Sequence, residues 1–195
     1  MRIAILGGSF DPPHNGHVKI AENVLKKLAF DVVWLMPCFA HAFGKQLSPP
    51  QNRLSMARLL ETSTVKISDF EIQKAGISIS VETLEELAKQ YPTDRFSWII
   101  GSDQIKDFPK WDYWQEIISL YGLIIVKRDE KENLEDKTKK ALGMQTLDGI
   151  TFLACEDIPN ISSTEIREKV KRGESIDALV PKNIEEYIKK HGLYK

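Results

Sequence analysis

The chain has 195 residues, of which 42% are hydrophobic and 28% charged, and its formal net charge at pH 7 is −1. This composition is ordinary for a soluble globular protein, and the length suits one domain with its own core. The near-zero charge argues against a nucleic-acid or membrane-surface partner, and no apolar run approaches the roughly 18 residues that a membrane span needs.

Apolar runs alternate with amphipathic helical patterns along the chain. In chain order, the sequence predicts strands at residues 3–6, 31–37, 65–68, 95–101, 122–128 and 150–154. Helical patterns lie between and after them, at residues 18–28, 53–61, 81–91, 111–121 and 163–173. The residues expected on the apolar face of the first helix are Val18, Ala21, Leu25 and Leu28. Residues 39–50 read as a loop, and the charged stretch 127–140 as a solvated helix or loop.

Strands that alternate with helices predict right-handed crossovers and an α/β fold. We expect a single Rossmann-like domain over residues 1–195, with a mostly parallel sheet and helices on both faces. In such sheets, ligands bind beyond the carboxyl ends of the strands, near the point where the strand order reverses. Three stretches at predicted strand ends are therefore candidates: the pair Gly7 and Gly8, the loop after Met36, and the turn at residues 101–103.

The two cysteines, Cys38 and Cys155, are too few for a disulfide framework. We therefore expect free thiols and a reducing, cytoplasmic location. The apolar segment before Asp11 is too short for a secretory signal. The oligomeric state stays open, with a homo-oligomer among the possibilities.

The first candidate site lies where the first strand gives way to a helix. Gly7 and Gly8 allow a tight turn and close approach of a ligand, and the free N–H groups of a helix start favour an anion such as phosphate. Neither a Walker loop nor the dinucleotide pattern G-x-G-x-x-G is present. His14 and His17 follow, and an imidazolium there could donate two hydrogen bonds to phosphate. The alternatives are zinc binding, for which the neighbouring residues supply no usual ligand set, and ordinary surface or core histidines.

The second candidate site is the start of the last predicted helix. Ser162 and Glu165 fit a capping box, which a well-capped helix alone would explain. Ser163, Thr164 and Arg167 add two hydroxyls and a guanidinium at the same end. Arginine binds phosphate with a planar fork, and a bound anion would offset the unfavourable position of a cation at a helix N-terminus.

The turn after the fourth predicted strand holds Gly101 and Asp103. Asp103 could accept hydrogen bonds from ribose hydroxyls, or it could cap a helix. Trp111 and Trp114 are packing residues or a flat surface for an aromatic ring. Nothing indicates a covalent nucleophile, because the G-x-S-x-G elbow is missing and Cys38 has no paired base. The candidates together favour direct in-line transfer between bound substrates, by positioning and charge neutralisation.

Two stretches carry a family resemblance. "GGSFDPPHNGH" at residues 7–17, called the first signature below, and "ISSTEIR" at residues 161–167, the second signature, resemble the two signatures of the nucleotidyltransferase superfamily. Residues 99–114 and 177–194 resemble one branch of it, the bacterial nicotinate-mononucleotide adenylyltransferases. The resemblance covers nearly the whole chain.

This resemblance implies adenylyl transfer from ATP to nicotinate mononucleotide with Mg²⁺, giving deamido-NAD and pyrophosphate in NAD biosynthesis. The residues that it implies in catalysis are His14, His17 and Arg167. The residues that it implies in ATP binding are Gly8, Ser9, Phe10, His14, His17, Gly101, Asp103, Ser163, Thr164 and Arg167. The residues that it implies in mononucleotide binding are Lys45, Ser80 and Trp111, with Trp111 stacked on the pyridine ring.

Two departures from the family pattern lie near the mononucleotide site. The family commonly has Pro-His-Lys after the second strand, whereas here His41 and Lys45 match it only loosely. It usually has Tyr-Thr before the helix at residues 81–91, whereas here Ile79 precedes Ser80. The acceptor therefore stays open between nicotinate mononucleotide, its nicotinamide form and phosphopantetheine. A non-catalytic nucleotide sensor on the same fold is the alternative outside enzymes.

Overall fold

The structure, a computed structural model, describes residues 1–41, 43–127, 133–155 and 158–195. Its strands are β1 (Arg2–Gly8), β2 (Val32–Pro37), β3 (Val65–Ile67), β4 (Arg95–Gly101), β5 (Leu123–Lys127) and β6 (Ile150–Ala154). All neighbouring pairs are parallel, and the strands lie side by side in the order β3-β2-β1-β4-β5-β6. The predicted α/β class is confirmed, with a sheet that is parallel throughout these strands.

The helices follow the strands in the alternation expected of crossover connections. They are α1 (Asn15–Lys27), α2 (Pro50–Arg58), α3 (Phe70–Lys74), α4 (Ser80–Gln90), α5 (Trp114–Glu116), α6 (Leu134–Leu142), α7 (Ser163–Lys171) and α8 (Lys182–His191). Short 3₁₀ helices occupy Ser102–Gln104 and Phe108–Lys110, and a π helix occupies Ile117–Tyr121. Within the described ranges, none of the helices is long and apolar enough to cross a bilayer.

Helices cover both faces of the sheet, because successive side chains of a strand point to opposite sides. In β1, Ile5 packs in a buried cluster with Leu84 of α4, whereas its neighbour Ala4 packs in a second cluster with Ile20 of α1. Burial on both sides explains why the inner strands β1, β2, β4 and β5 read as continuous apolar runs. A third cluster joins α2, α7 and α8 beside the sheet.

The strand order reverses between β1 and β4, which lie next to each other in the middle of the sheet. Their carboxyl ends carry Gly8 and Gly101. A ligand crevice is expected at such a reversal. The sheet therefore places the first signature and the turn at residues 101–103 at one edge.

Three of the predicted helices differ from the observed ones. α2 spans Pro50–Arg58, whereas the prediction was residues 53–61. α1 buries Ile20, Ala21 and Val24 in the cluster that holds Ala4. The residues predicted on its apolar face that are only half-buried are Val18, Leu25 and Leu28. The predicted helix at 111–121 begins only at α5, because Tyr113 adopts the left-handed conformation with φ 51° and ψ 36°.

The five-residue helix α3 and the ten-residue helix α8 were not predicted. The charged stretch 127–140 is only partly described. Residues 128–132 lie outside the described residues, as does Ala42 of the predicted loop. The rest of the charged stretch begins α6, which Asn133 caps by accepting the N–H of Asp136 at 3.3 Å. Of the two predicted alternatives, a solvated helix or a loop, the structure shows a helix from Leu134 onward, and this helix buries Leu134 and Thr138.

Candidate active site

The first signature forms the connection from β1 to α1. The chain turns at Phe10, whose φ is 48°, whereas Gly7 and Gly8 both lie in β1 with no positive φ. Gly7 is required for packing, because a Cβ atom at this position would clash with the indole ring of Trp98. The prediction that the glycine pair makes the turn is therefore wrong, and Phe10, which is 1% exposed, makes it instead.

His14 and His17 stack on each other at the start of α1. Their ring centroids are 3.7 Å apart and their planes are inclined by 29°. The backbone N–H of His14 donates to Nδ1 of His17 at 3.1 Å. Because Nδ1 accepts this bond, the neutral His17 ring carries its proton on Nε2, which becomes its donor nitrogen. This geometry favours one directed donor at His17 over the two-donor imidazolium considered from the sequence.

Phe10 and Gly16 fix the positions of the two imidazole rings. The Phe10 ring lies against that of His17, with 4.8 Å between centroids. A Cβ atom at Gly16 would lie 3.0 Å from Cε1 and Nδ1 of His14, closer than ordinary van der Waals contact. Since His14 is 3% exposed, its ring has little room to move away. The glycine of the first signature thus makes room for the imidazole before it.

The second signature docks onto the turn of the first. Ser162 caps α7 with its side-chain oxygen, as the sequence predicts. Ser163 Oγ donates to the carbonyl oxygen of Pro12 at 2.9 Å. Arg167 Nη1 donates to the carbonyl oxygen of Asp11 at 2.7 Å. The structure therefore brings together two stretches that are far apart in the sequence.

Arg167 lies half-buried at this junction. Besides its bond to Asp11, it donates from Nη2 to Oγ1 of Thr164 at 3.1 Å. These two bonds use two of the five N–H groups of a guanidinium. The bonds orient the planar fork, and the Thr164 hydroxyl, which accepts from Arg167, keeps its own proton for another acceptor.

The carboxyl end of β4 contributes a tight turn beside β1. Gly101 is buried, and the exposed Asp103 follows it in the 3₁₀ helix Ser102–Gln104. Trp111 is half-buried, with its ring centroid 5.2 Å from that of Phe108. The indole of Trp111 therefore packs against the core on one side, which is the first of the two roles predicted for it.

A buried arginine that the sequence pattern did not reveal anchors the loop after β2. Arg53 of α2 is 0% exposed. Its guanidinium donates to the carbonyl oxygens of Ser48 at 2.9 Å, Ser9 at 2.9 Å, Cys38 at 2.7 Å and Phe39 at 2.8 Å. One side chain therefore ties together the loops that follow β1 and β2.

Lys45 belongs to the same loop, and one charged residue from each signature shifts the pKa of its ammonium group. Partial burial lowers the pKa of Lys45 most, and the positive charge of Arg167 lowers it further, whereas Asp11 acts in the opposite direction. Burial and the charge of Lys45 lower the pKa of His41. Lys45 is thus within electrostatic reach of the junction between the signatures, while its contact with a mononucleotide stays a prediction.

Ser80 begins α4 beside a buried hydrogen-bond network. Glu71 of α3 is 4% exposed and accepts from Oγ1 of Thr83 at 2.9 Å. Burial raises the pKa of Glu71, and hydrogen bonds from Ser78 and Thr83 oppose that shift. Ser78 Oγ also accepts the backbone N–H of Phe39 at 3.2 Å. The network links the start of α4, which holds Ser80, to the loop after β2, which holds Lys45, and so joins two of the three predicted parts of the mononucleotide site.

Comparison with known proteins identifies the family. The cytidylyltransferase-like family matches residues 5–169, a range that contains both signatures. The probable nicotinate-nucleotide adenylyltransferase of Anaeromyxobacter dehalogenans is 36% identical over 99% of this chain and 96% of its own length. The chain belongs to the nicotinate-nucleotide adenylyltransferase family. The Bacillus subtilis nicotinate-nucleotide adenylyltransferase is 32% identical over 100% of this chain and 98% of its own length.

The fold of this adenylyltransferase family member agrees with solved structures. The Plasmodium falciparum nicotinic acid mononucleotide adenylyltransferase complexed with NaAD has a TM-score of 0.82, covering 99% of this chain and 97% of that one at 23% identity. The same enzyme complexed with APC has a TM-score of 0.78 at 22% identity. The family resemblance and the Rossmann-like fold stated from the sequence are both confirmed.

Proposed function

We propose that this chain transfers the adenylyl group of ATP to nicotinate mononucleotide, forming deamido-NAD and releasing pyrophosphate. The observation that carries this proposal is the contact between the two signatures, in which Ser163 and Arg167 bind the carbonyl oxygens of the turn that leads to His14. A phosphate chain laid across this junction meets imidazole donors on one side and a guanidinium on the other. The names of the related proteins support the same reaction.

The reaction needs no covalent enzyme intermediate. A phosphate oxygen of the mononucleotide attacks the α-phosphorus of ATP, a P–O bond forms, and the bond from that phosphorus to the bridging oxygen breaks as pyrophosphate leaves with the electron pair. The Nε2–H of His17 donates to the α-phosphate oxygens, and His14 supports the same charge. Arg167 binds the departing pyrophosphate. Catalysis then rests on positioning and charge stabilisation.

The remaining ATP contacts are distributed around the same edge. Ser163 Oγ already donates to a carbonyl oxygen, so Ser163 binds the β- and γ-phosphates through its backbone N–H in the first turn of α7. Thr164 donates through its hydroxyl. The proposed adenosine contacts are Gly101 and Asp103. The proposed backbone contacts to the phosphates are Gly8, Ser9 and Phe10.

Mg²⁺ enters this proposal bound to ATP. Among residues 1–41, 43–127, 133–155 and 158–195, no group of three His, Cys, Asp or Glu side chains could hold a metal ion. The carboxylate of Asp11, nearest in sequence to the histidines, accepts hydrogen bonds on both oxygens. Magnesium in such sites keeps several waters and binds substrate phosphates, whose charge it neutralises. The side chains of this protein then orient the phosphates.

The proposal extends to the chain as a whole. We assign residues 1–195 to one nucleotidyltransferase domain, because the third core cluster joins α8 to α7 and α2. Cys38 and Cys155 are both free thiols, which supports the expected cytoplasmic location. The acceptor is held by Lys45, Ser80 and Trp111 in this proposal.

Nicotinate mononucleotide is expected to be the preferred acceptor. A carboxylate only accepts hydrogen bonds, whereas a carboxamide also donates two, so a pocket built for one leaves a group unpaired with the other. An unpaired buried group costs about 1–3 kcal/mol, which corresponds to a kcat/KM ratio of roughly 10 to 100 or more in favour of the acid. Pyrophosphate release from MgATP, measured with each mononucleotide, gives this ratio directly.

The same assay decides between the alternatives. Phosphopantetheine is included as a third acceptor. An equal or higher kcat/KM for nicotinamide mononucleotide would contradict the acceptor and leave adenylyl transfer intact. Binding of ATP with no turnover of any of the three acceptors would instead indicate the nucleotide sensor.

Arg167→Lys is expected to weaken both ATP and pyrophosphate binding, by ~10-fold or more, because a point charge replaces a planar fork. The lysine cannot keep the bonds to Asp11 and Thr164 and also bind two phosphate oxygens. Calorimetric titration with each ligand measures the loss. Arg172→Lys is the matched control, since Arg172 lies at the end of α7 and forms an exposed ion pair with Glu174. Equal ATP and pyrophosphate affinities in Arg167→Lys and the parent would leave Arg167 a purely structural residue.

A further inference from the structure

Tyr194 reaches back from the segment after α8 to the first signature. Its hydroxyl donates to Oδ1 of Asp11 at 2.7 Å, across 183 positions of sequence. The rest of the side chain packs against the third core cluster, which contains Met56 of α2 and Ile166 of α7. Asp11 itself is 2% exposed. The tyrosine thus has an apolar ring in the core and a polar tip on a buried carboxylate.

Asp11 connects three separate segments at the junction of the signatures. Besides the hydroxyl of Tyr194 on Oδ1, its Oδ2 accepts the backbone N–H of Ser48 at 3.0 Å. Its carbonyl oxygen accepts from Arg167 at 2.7 Å. One residue therefore holds the loop that carries Lys45, the helix of the second signature and the segment after α8.

The hydroxyl of Tyr194 is the donor of its hydrogen bond to Asp11. Burial raises the pKa of Tyr194 most, and the hydrogen bond to the Asp11 carboxylate and its negative charge raise it further. The phenol therefore stays protonated and donates. A buried carboxylate depends on such donors, because it has lost its water. The hydrogen bond from Tyr194 fixes Oδ1 of Asp11 and with it the orientation of the carboxylate. Oδ2, which accepts from Ser48, and the backbone carbonyl oxygen, which accepts from Arg167, are then held in place as well.

We propose that Tyr194 is a positioning residue for the ATP phosphate site, which acts by holding the Asp11 carboxylate and, through Asp11, the positions of Arg167 and the Ser48 amide. This inference rests on the proposed contact of Arg167 with the phosphates. It assigns to the segment after α8 a part in substrate binding that neither signature contains. Tyr194 touches no substrate in this role.

The test is Tyr194→Phe, which keeps the ring in the third cluster and removes only the hydroxyl. KM for ATP is expected to rise ~10-fold, the loss typical of a hydrogen bond to a charged group, and KM for the mononucleotide to stay within about twofold. Tyr187→Phe is the matched control, because this phenol of α8 is 3.5 Å from Oδ1 of Asn52 and does not contact Asp11. The control is expected to leave both KM values within about twofold.

A double-mutant cycle and amide exchange separate positioning from general stability. In the background of Asp11→Ala, Tyr194→Phe is expected to have a much smaller effect on KM for ATP, since the carboxylate is gone and the hydroxyl keeps only its side-chain hydrogen bond with Ser48 among the described partners. Hydrogen exchange at the Ser48 amide is expected to speed up in Tyr194→Phe and not in Tyr187→Phe. That measurement and ATP titration need no turnover, so they test Tyr194 even if no acceptor is converted.

Two results would overturn the inference. The first is a lower melting temperature for Tyr194→Phe with unchanged ATP affinity and unchanged exchange at Ser48, which would make the bond structural only. The second is an effect of Tyr194→Phe on ATP affinity that is equally large with and without the Asp11 carboxylate. If Asp11→Ala does not fold, the exchange rate at Ser48 alone decides between a positioning and a structural bond.

Discussion

His17→Ala is expected to lower kcat by about 10²- to 10³-fold, the loss typical for removing one preorganised donor to a developing charge. The His14 backbone N–H holds Nδ1 of His17, so the donor nitrogen Nε2 has a fixed direction before substrate binds. Because this donor acts mainly on charge that develops during transfer, KM for ATP is expected to change much less than kcat. Single-turnover measurement of pyrophosphate release reads the chemical step.

The fold of this variant is expected to survive, since His17 is only half-buried and the loss of its capping bond at the start of α1 costs about 0.5–2 kcal/mol. His191→Ala is the matched control. His191 ends α8, is exposed and stacks on Tyr187 with 4.1 Å between ring centroids. It belongs to neither signature, so kcat of the His191→Ala variant is expected to equal that of the parent. A folded His17→Ala protein with near-normal kcat would remove His17 from the catalytic site.

The four inner strands β1, β2, β4 and β5 could be predicted because they are buried on both faces. Strand β4 reads as an apolar run and coincides with its predicted range, residues 95–101. The position of the candidate site was predicted from the sequence by the same alternation, since ligands bind at a reversal of strand order, and the structure shows that reversal between β1 and β4. Helix N-termini after strand ends then singled out both signatures. These features depend on local patterns that a single sequence carries.

The helix errors have causes outside the local pattern. The stretch 111–121 has helical periodicity, but Tyr113 is left-handed and the following turn is α-helical for only three residues before it becomes a π helix. α3 has five residues, too short to show a period, and it buries Glu71, an acid that a pattern assigns to solvent. Its burial depends on the hydroxyl of Thr83 in another helix.

The missed residues of the site share one property. Arg53 and Tyr194 each owe their role to partners that are distant in sequence or that offer only backbone carbonyl oxygens. A carbonyl oxygen is present at every residue, so its use as a partner leaves no trace in the sequence. An arginine in a polar helix is most often a solvated one. Arg53 is buried by the loops after β1 and β2, and the local sequence of α2 does not show this contact.

Arg53→Met is expected to lower the free energy of unfolding by about 3–5 kcal/mol. Methionine has a similar length and helix propensity, so the change mainly removes the guanidinium. The carbonyl oxygens of Ser9, Ser48, Cys38 and Phe39 then lose their donor, and each buried unpaired group costs about 1–3 kcal/mol, partly offset because a buried charge is no longer desolvated. Urea unfolding followed by circular dichroism measures the difference.

The functional consequence follows from the geometry of the peptide group. Since the C=O and N–H of a trans peptide point in opposite directions, Arg53 holds the Ser9 carbonyl oxygen toward itself and turns the Phe10 N–H away from the buried guanidinium. Loss of Arg53 therefore also frees a proposed backbone contact to the phosphates, and kcat/KM for ATP is expected to fall even at temperatures where the variant is folded. Arg58→Met is the control, because Arg58 lies in the same helix but forms an exposed ion pair with Asp69 at 3.0 Å, worth about 1 kcal/mol or less. Equal unfolding free energies for Arg53→Met and Arg58→Met would mean that water replaces the guanidinium at no cost, and Arg53 would then not be the residue that holds the two loops.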